Sequence, residues 1–176
     1  MNMLGNGLYV AHQVEDALTV LEAELATKRR LGVSEERILA VQNNLANTYY
    51  RLGQEDRALR MRQEVYSARL KFSGEEHPST LRAGYNYADT LSRLERFEEA
   101  KSLLLKIIPV ARRVLGENEE VVLRMRANYA GALVNASGAT LDDIREAVTT
   151  LDVVARIARR VLGGAHPITE AIEHNL

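Results

Sequence analysis

The sequence has no cysteine, and only three prolines and two phenylalanines occur among its 176 residues. Without cysteine there are no disulfide bonds and no thiolate chemistry. With so little proline, long stretches run without a helix breaker, and they are rich in alanine, leucine, arginine and glutamate. This composition favours helix almost everywhere along the chain.

An excess of charge of one sign is also missing. The formal net charge is −1, so no overall field attracts nucleic acid or an anionic membrane. The sequence contains no run of about 18 apolar residues, the length needed to span a bilayer. Met1–Leu8 lacks the basic start of a secretory signal. We therefore expect an intracellular, cytoplasmic protein that binds neither nucleic acid nor membrane.

The motifs of common enzymes are absent as well. The sequence contains no glycine-rich phosphate loop, no Gly-x-Ser-x-Gly and no His-Glu-x-x-His. His77 and His166 each precede a proline at equivalent positions, which favours a turn or capping role over metal binding, and His12 and His174 lack neighbours at ligand spacing. We expect no catalytic residue, no cofactor and no metal.

The sequence does contain an internal repeat. The stretch that begins at Asn86 recurs from Asn44 and from Asn128, at a period of about 42 residues. Helical spacing of apolar residues predicts two helices in each repeat. The predicted units are a second half-repeat at 8–32, full repeats at 34–74, 77–116 and 119–163, the last with an insertion near 135–143, and a first half-repeat at 166–176. A chain that begins and ends inside a repeat predicts either a fragment or ends that a neighbouring chain completes.

Local signals place the helix ends. Ser34 and Thr140 are predicted N-caps, whereas glycines close the helices. Pro109 falls inside a helix, where we expect a bend or a curve with its outer side towards solvent. The predicted apolar faces of the second helices include Phe72, Ile144, Val148 and Val161.

Small residues recur at fixed positions within the repeats. The first helices carry Ala46, Ala88 and Ala130, each followed three residues later by Tyr49, Leu91 or Leu133, and the second helices carry Ala58, Ala100 and Ala147. Such positions let paired helices approach closely. Because one pair cannot bury its own apolar faces, the pairs must stack. The predicted fold is all-α, a right-handed superhelical array of antiparallel helix pairs, or α-solenoid.

This pattern resembles the tetratricopeptide repeat, although an ordinary unit of that family has about 34 residues. The longer period, with Leu-Gly-x-x-His-Pro at 162–167 and Asn-Asn-Leu-Ala at 43–46, is similar to the kinesin-light-chain type of repeat. Residues 115–120 depart from it by lacking His-Pro. The long coiled coil of a kinesin light chain itself is absent, and this repeat type occurs in many other proteins.

The resemblance implies a concave groove, lined by the first helices, that binds extended peptides. The positions implied to face this groove, beside Ala40, Gly131 and Asn175, are Asn44, Asn47, Arg51, Arg82, Asn86, Asp89, Arg93, Arg124, Asn128 and Asn135. Asparagine offers a donor and an acceptor to a peptide backbone, and arginine favours acidic side chains. The alternative is that each asparagine bonds within its own repeat and that the arginines are solvated.

Three functional classes follow from these observations. The first is an interaction scaffold whose partner is a protein or an extended, acidic peptide. The second is a self-assembling module in which the terminal half-repeats form a homo-oligomer. The third, an enzyme, finds the least support because the expected motifs are missing.

Overall fold

A computed structural model describes the backbone of residues 3–174 and the side-chain environment of residues 13–174. Every regular element within the described range is an α-helix, which confirms the all-α prediction. The helices are α1 Met3–Arg30, α2 Glu35–Arg51, α3 Glu55–Ser73, α4 Pro78–Arg93, α5 Phe97–Leu115, α6 Glu120–Asn135, α7 Leu141–Val161 and α8 Pro167–His174.

The chain forms two compact units, Met1–Phe72 and Ser73–Leu176. The first contains α1, α2 and nearly all of α3. Its core consists of Leu25 from α1, Val41, Leu45 and Tyr49 from α2, and Ala58 from α3. All three helices therefore contribute to one hydrophobic cluster.

The second unit contains α4–α8. Consecutive helices pack on one another along this unit, and α4 also contacts α6. Thus α4 and α6, the first helices of two successive pairs, lie side by side. The fully buried side chains of this unit include Leu81, Leu91, Leu104, Val122, Leu123, Met125 and Val154.

The small residues lie where the repeat pattern predicts close helix contacts. Ala46, Ala58, Ala88, Ala100, Ala130 and Ala147 are all 0% exposed. The larger residues three positions after the first-helix alanines, Tyr49, Leu91 and Leu133, are also buried. The alternation of small and large residues is confirmed as a packing pattern.

Most of the predicted helix ends are observed. Thr140 caps α7, because its hydroxyl accepts a hydrogen bond from the Asp143 amide at 3.2 Å. His77 Nδ1 accepts from the Ser79 amide at 3.2 Å, and His166 Nδ1 accepts from the Ile168 amide at 3.3 Å. Both histidines therefore cap the helices that follow them. Ser34 precedes α2 as predicted, but its side chain makes no capping bond.

The second helices expose several residues. α5 continues through Pro109, which is exposed to solvent. The predicted apolar faces are wrong at four exposed residues, Phe72, Ile144, Val148 and Val161. Periodicity shows that side chains share a face of a helix, but it does not show whether another helix lies opposite that face.

Candidate functional site: a groove in the second unit

An open cavity of about 570 Å³ lies among the first helices of the second unit, α4, α6 and α8. We call it the groove. Its polar lining residues are Tyr85, Asp89, Ser92, Arg93, Arg124, Asn128 and Asn135, and its larger apolar ones are Phe97, Val134, Leu151, Pro167, Ile168 and Ile172.

The charged side chains of the groove already have partners on their own helices. Arg93 Nε donates to Asp89 Oδ2 at 2.9 Å, and Arg124 Nε donates to Glu120 Oε1 at 3.0 Å. Asp89, Arg93 and Arg124 line the groove, whereas Glu120 does not. The charged lining therefore contains two arginines and one aspartate, with Glu120 beside it.

Tyr85 connects these charges across two helices. Burial raises the pKa of its phenol, as does the negative charge of Asp89, while a hydrogen bond from Arg124 and the charges of Arg124 and Arg93 act in the opposite direction. The hydroxyl on α4 thus interacts with a guanidinium on α6. At neutral pH it stays protonated and retains a proton to donate.

A second polar link joins the same two helices. The Ser92 hydroxyl of α4 donates to Asn128 Oδ1 of α6 at 2.5 Å. Asn128 therefore uses its acceptor within the protein, although it also lines the groove. This bond gives the asparagine a structural role, but it joins two repeats, whereas the alternative placed such bonds within one repeat.

The opposite wall of the groove is apolar. Ile168 and Ile172 of α8 are 7% and 3% exposed, and they line the groove together with Leu151 of α7. Tyr85, Ile168 and Ile172 were not predicted as site residues from the sequence. Tyr85 lies four residues before Asp89, so helical spacing could have identified it, but no comparable signal marked the α8 residues.

The structure brings together only part of the predicted site. Asp89, Arg93, Arg124, Asn128 and Asn135 line one cavity. Exposed Arg82 and half-buried Asn86 lie on α4 outside that lining. Asn44, Asn47 and Arg51 are exposed residues of α2 in the first unit, whereas Asn175 lies outside the described residues.

The asparagines of the first unit have their own contacts. Asn47 Oδ1 accepts a hydrogen bond from Arg62 Nη2 at 2.9 Å, which ties α2 to α3. The backbone carbonyl of Asn44 accepts a hydrogen bond from the Thr48 hydroxyl at 3.0 Å, and the backbone carbonyl of Asn86 accepts one from the Thr90 hydroxyl at 2.9 Å. The same local bond therefore recurs in two repeats, where it satisfies the hydroxyl of a buried threonine.

The described part of the chain lacks both a metal site and a membrane-spanning helix. Within it, no group of three or more histidine or acidic side chains is arranged to hold a metal ion. No helix in that part is both long enough and apolar enough to cross a membrane.

Comparison with known proteins agrees with the helix pairs and their packing. Residues 37–113 match the family model of the tetratricopeptide repeat. This segment therefore consists of tetratricopeptide repeats. Its repeats are of the kinesin-light-chain-like type, as the structural relatives indicate. No curated protein sequence matches the chain.

Two of the related structures come from one protein of Podosopora anserina, described as a kinesin light chain with nearly identical TPR-like repeats. A point variant of that protein and its parent form share 26% identity with this chain and have TM-scores of 0.77 and 0.74. Each match covers 94% of this chain and 76% of the other. BtubC (BKLC) from P. vanneervenii, at 18% identity and a TM-score of 0.57 over 88% of this chain and 76% of its own, shows the fold alone.

Proposed function

We propose that this repeat protein is an interaction scaffold that binds an extended, acidic segment of a protein partner in the groove of its second unit. Tetratricopeptide repeats generally mediate protein–protein interactions. The observation that carries the proposal is the charged wall of the groove, where two arginines, Arg93 and Arg124, come from different helices and meet at one cavity.

The ion pairs within the groove suit exchange with a ligand. Arg93 and Asp89 are 54% and 25% exposed at their side chains, and Arg124 and Glu120 are 44% and 48% exposed. Exposed pairs of this kind contribute little to stability. A ligand carboxylate can therefore replace an internal carboxylate at low cost, and guanidinium groups favour such bidentate contacts.

The rest of the groove suits the other parts of a peptide. The Asn135 amide donates to the Gly131 carbonyl at 2.8 Å, while Asn128 and Tyr85 offer polar groups near the arginines. Ile168 and Ile172 are nearly buried, but exposed Val134 and Pro167 of the same lining give non-polar side chains a surface to cover. Asn44, Asn47 and Arg51 of the first unit, and Arg82 and Asn86 of the second, remain predicted ligand contacts outside this cavity.

The test is selection of binders from a random peptide library, followed by affinity measurements with charge variants. We expect acidic peptides to be enriched, and Arg124→Glu to weaken them by at least about tenfold. Asp89→Asn is expected to strengthen binding, because it removes a competing carboxylate. Lys106→Glu, which makes the same charge change at an exposed α5 position outside the groove, is the matched control.

Equal affinities for the Arg124→Glu and Lys106→Glu proteins would show that the groove does not select the ligand. Enrichment of peptides without acidic residues would contradict the proposed ligand class. An Asn86→Ala/Asn128→Ala protein adds a second comparison, since its loss of affinity reports on the asparagine contacts separately from the arginines.

A further inference from the structure

Gly131 lies inside α6, four residues before the helix ends, although glycine is less favourable than alanine in a helix. Its backbone does not require glycine, because its φ is not in the left-handed region. Its packing does not require glycine either, since a Cβ added there would meet no other group within 4 Å. No contact among the described residues therefore accounts for the missing side chain.

Gly131 is part of the groove lining, together with Ala127 one turn earlier. One repeat earlier, α4 carries Asp89 and Tyr85 at the equivalent positions, and both of these larger side chains also line the groove. Thus α6 presents almost bare helix backbone where α4 presents a carboxylate and an aromatic ring. The glycine leaves open a space in the groove that a side chain fills on the neighbouring first helix.

Two polar residues on the same face of α6 indicate what fits this space. Arg124, Asn128 and Gly131 follow one another at steps of four and three residues, so they lie on one side of the helix, and all three line the groove. The bond from Ser92 uses the amide oxygen of Asn128, which leaves the NH2 group of that side chain to donate. A ligand at Gly131 therefore meets a hydrogen-bond donor one turn away and a guanidinium two turns away.

A peptide main chain suits this arrangement. Its carbonyl groups accept hydrogen bonds, and glycine is the residue that lets another backbone approach a helix closely. The Gly131 carbonyl already accepts a hydrogen bond from the Asn135 side-chain amide at 2.8 Å. Gly131 therefore offers a close contact surface, while Asn128 supplies the hydrogen bond.

We propose that the main chain of the partner's acidic segment lies directly against α6 at Gly131, with one of its carbonyl groups accepting a hydrogen bond from the Asn128 amide. The inference rests on the function proposed above and adds to it the point of closest contact. Gly131 acts as a positioning residue: any side chain there holds the ligand away from the donor of Asn128 and from the charge of Arg124.

The test compares the stability of the full chain with its affinity for acidic peptides selected from the random library. Gly131→Ala should raise the thermal midpoint by about 2–4 °C, because alanine favours helix and its Cβ meets no other group. The same change should weaken peptide binding by about threefold, and Gly131→Leu by at least about tenfold, since each places atoms where the ligand lies. Ser102→Leu, at an exposed α5 position outside the groove, is the matched control and should leave the affinity unchanged.

An alanine scan of the selected peptide distinguishes its main chain from its side chains. If a ligand side chain lay on Gly131, truncating that side chain would restore the affinity for the Gly131→Leu protein. With the main chain at this point, no single truncation should restore it. Restored affinity would therefore overturn the inference, as would a lower thermal midpoint for Gly131→Ala, which would show that the fold itself needs the glycine.

Failure of this inference differs from failure of the proposed function. Unchanged affinity in Gly131→Leu, with Arg124→Glu still weakening the peptides, would overturn the contact at Gly131 and leave the groove in place. Unchanged affinity in both variants would overturn the groove as the binding site, and the contact at Gly131 with it.

Discussion

The Ser92 hydroxyl on α4 donates a hydrogen bond to Asn128 Oδ1 on α6 at 2.5 Å. Both residues are half-buried and line the groove. The asparagine that recurs in each repeat has therefore a structural role at this position, in addition to the binding role proposed for the groove. The two roles can be separated by measuring stability and binding on the same variants.

We predict that Ser92→Ala lowers the free energy of unfolding by about 1 kcal/mol, because it removes the donor and leaves the Asn128 oxygen without that partner. Urea denaturation of Ser92→Ala, Asn128→Ala and the double variant should give a coupling energy of about 1 kcal/mol. Ser102→Ala, at an exposed position on α5, is the control. If Ser92→Ala and Ser102→Ala were equally stable, the bond would contribute nothing.

Glu95, two residues after the end of α4, has a backbone conformation that glycine adopts more easily. Glu95 has φ 59°, and Gly53, its equivalent one repeat earlier, has φ 71°. A left-handed backbone costs a residue other than glycine about 1–2 kcal/mol. We predict that Glu95→Gly raises the thermal midpoint of unfolding, and that Gly53→Glu lowers it. A lower midpoint for Glu95→Gly would show that the glutamate side chain contributes more than its backbone strain costs.

Much of the fold could be predicted because repetition makes weak local signals visible. Ala46, Ala88 and Ala130 identify a close helix contact only when the three copies are compared, and all three are fully buried. A repeat that lacks the usual residue gives no such signal. The left-handed turn at Glu95 was not predicted because glutamate, unlike Gly53, does not indicate a positive φ.

The candidate site was less predictable than the fold. Helical spacing from Asn44, carried to the equivalent positions of the next repeat, led to Asp89 and Arg93, which do line the groove. It could not identify Ile168 and Ile172, because apolar residues of α8 look like ordinary core positions in the sequence. It also could not show that Asn128 bonds to Ser92, since that contact depends on how two helices are aligned, not on spacing within either one.

The capping box at the start of α7 should make the fold less stable in acid. The Thr140 side chain and backbone donate to the Asp143 carboxylate, and these hydrogen bonds lower its pKa below the ordinary range. An acid whose pKa is lower in the folded state stabilises the fold above its unfolded pKa of about 4, and this contribution is lost as the pH falls through the folded value.

Thermal unfolding between about pH 7 and pH 2 measures this contribution, since the range spans carboxylate titration. The Asp143→Asn protein should lose less stability in acid than the unchanged chain. The Asp142→Asn protein should lose as much as the unchanged chain, because its Thr140–Asp143 bonds remain. Thr140→Ala should also cost about 1 kcal/mol at neutral pH as a lost cap. An unchanged acid profile in Asp143→Asn would contradict the role of this carboxylate.

Tyr129 should produce the opposite pH dependence in alkali. Its hydroxyl donates to Glu146 Oε1 at 3.0 Å, and its pKa is raised to about 12, first by burial and then by this hydrogen bond. The folded protein therefore keeps a proton that the unfolded chain releases near pH 10. Stability from this group is present below about pH 10 and is lost as the pH rises towards 12.

Tyrosinate absorbance measured during alkaline titration should contain a component with its midpoint near 12 that is missing in Tyr129→Phe. Glu146→Gln should lower that midpoint, because the adjacent negative charge no longer opposes ionisation. Tyr129→Phe should also show a smaller loss of stability between about pH 10 and 12 than the unchanged chain. If Glu146→Gln left the midpoint where it was, burial alone would account for the raised pKa.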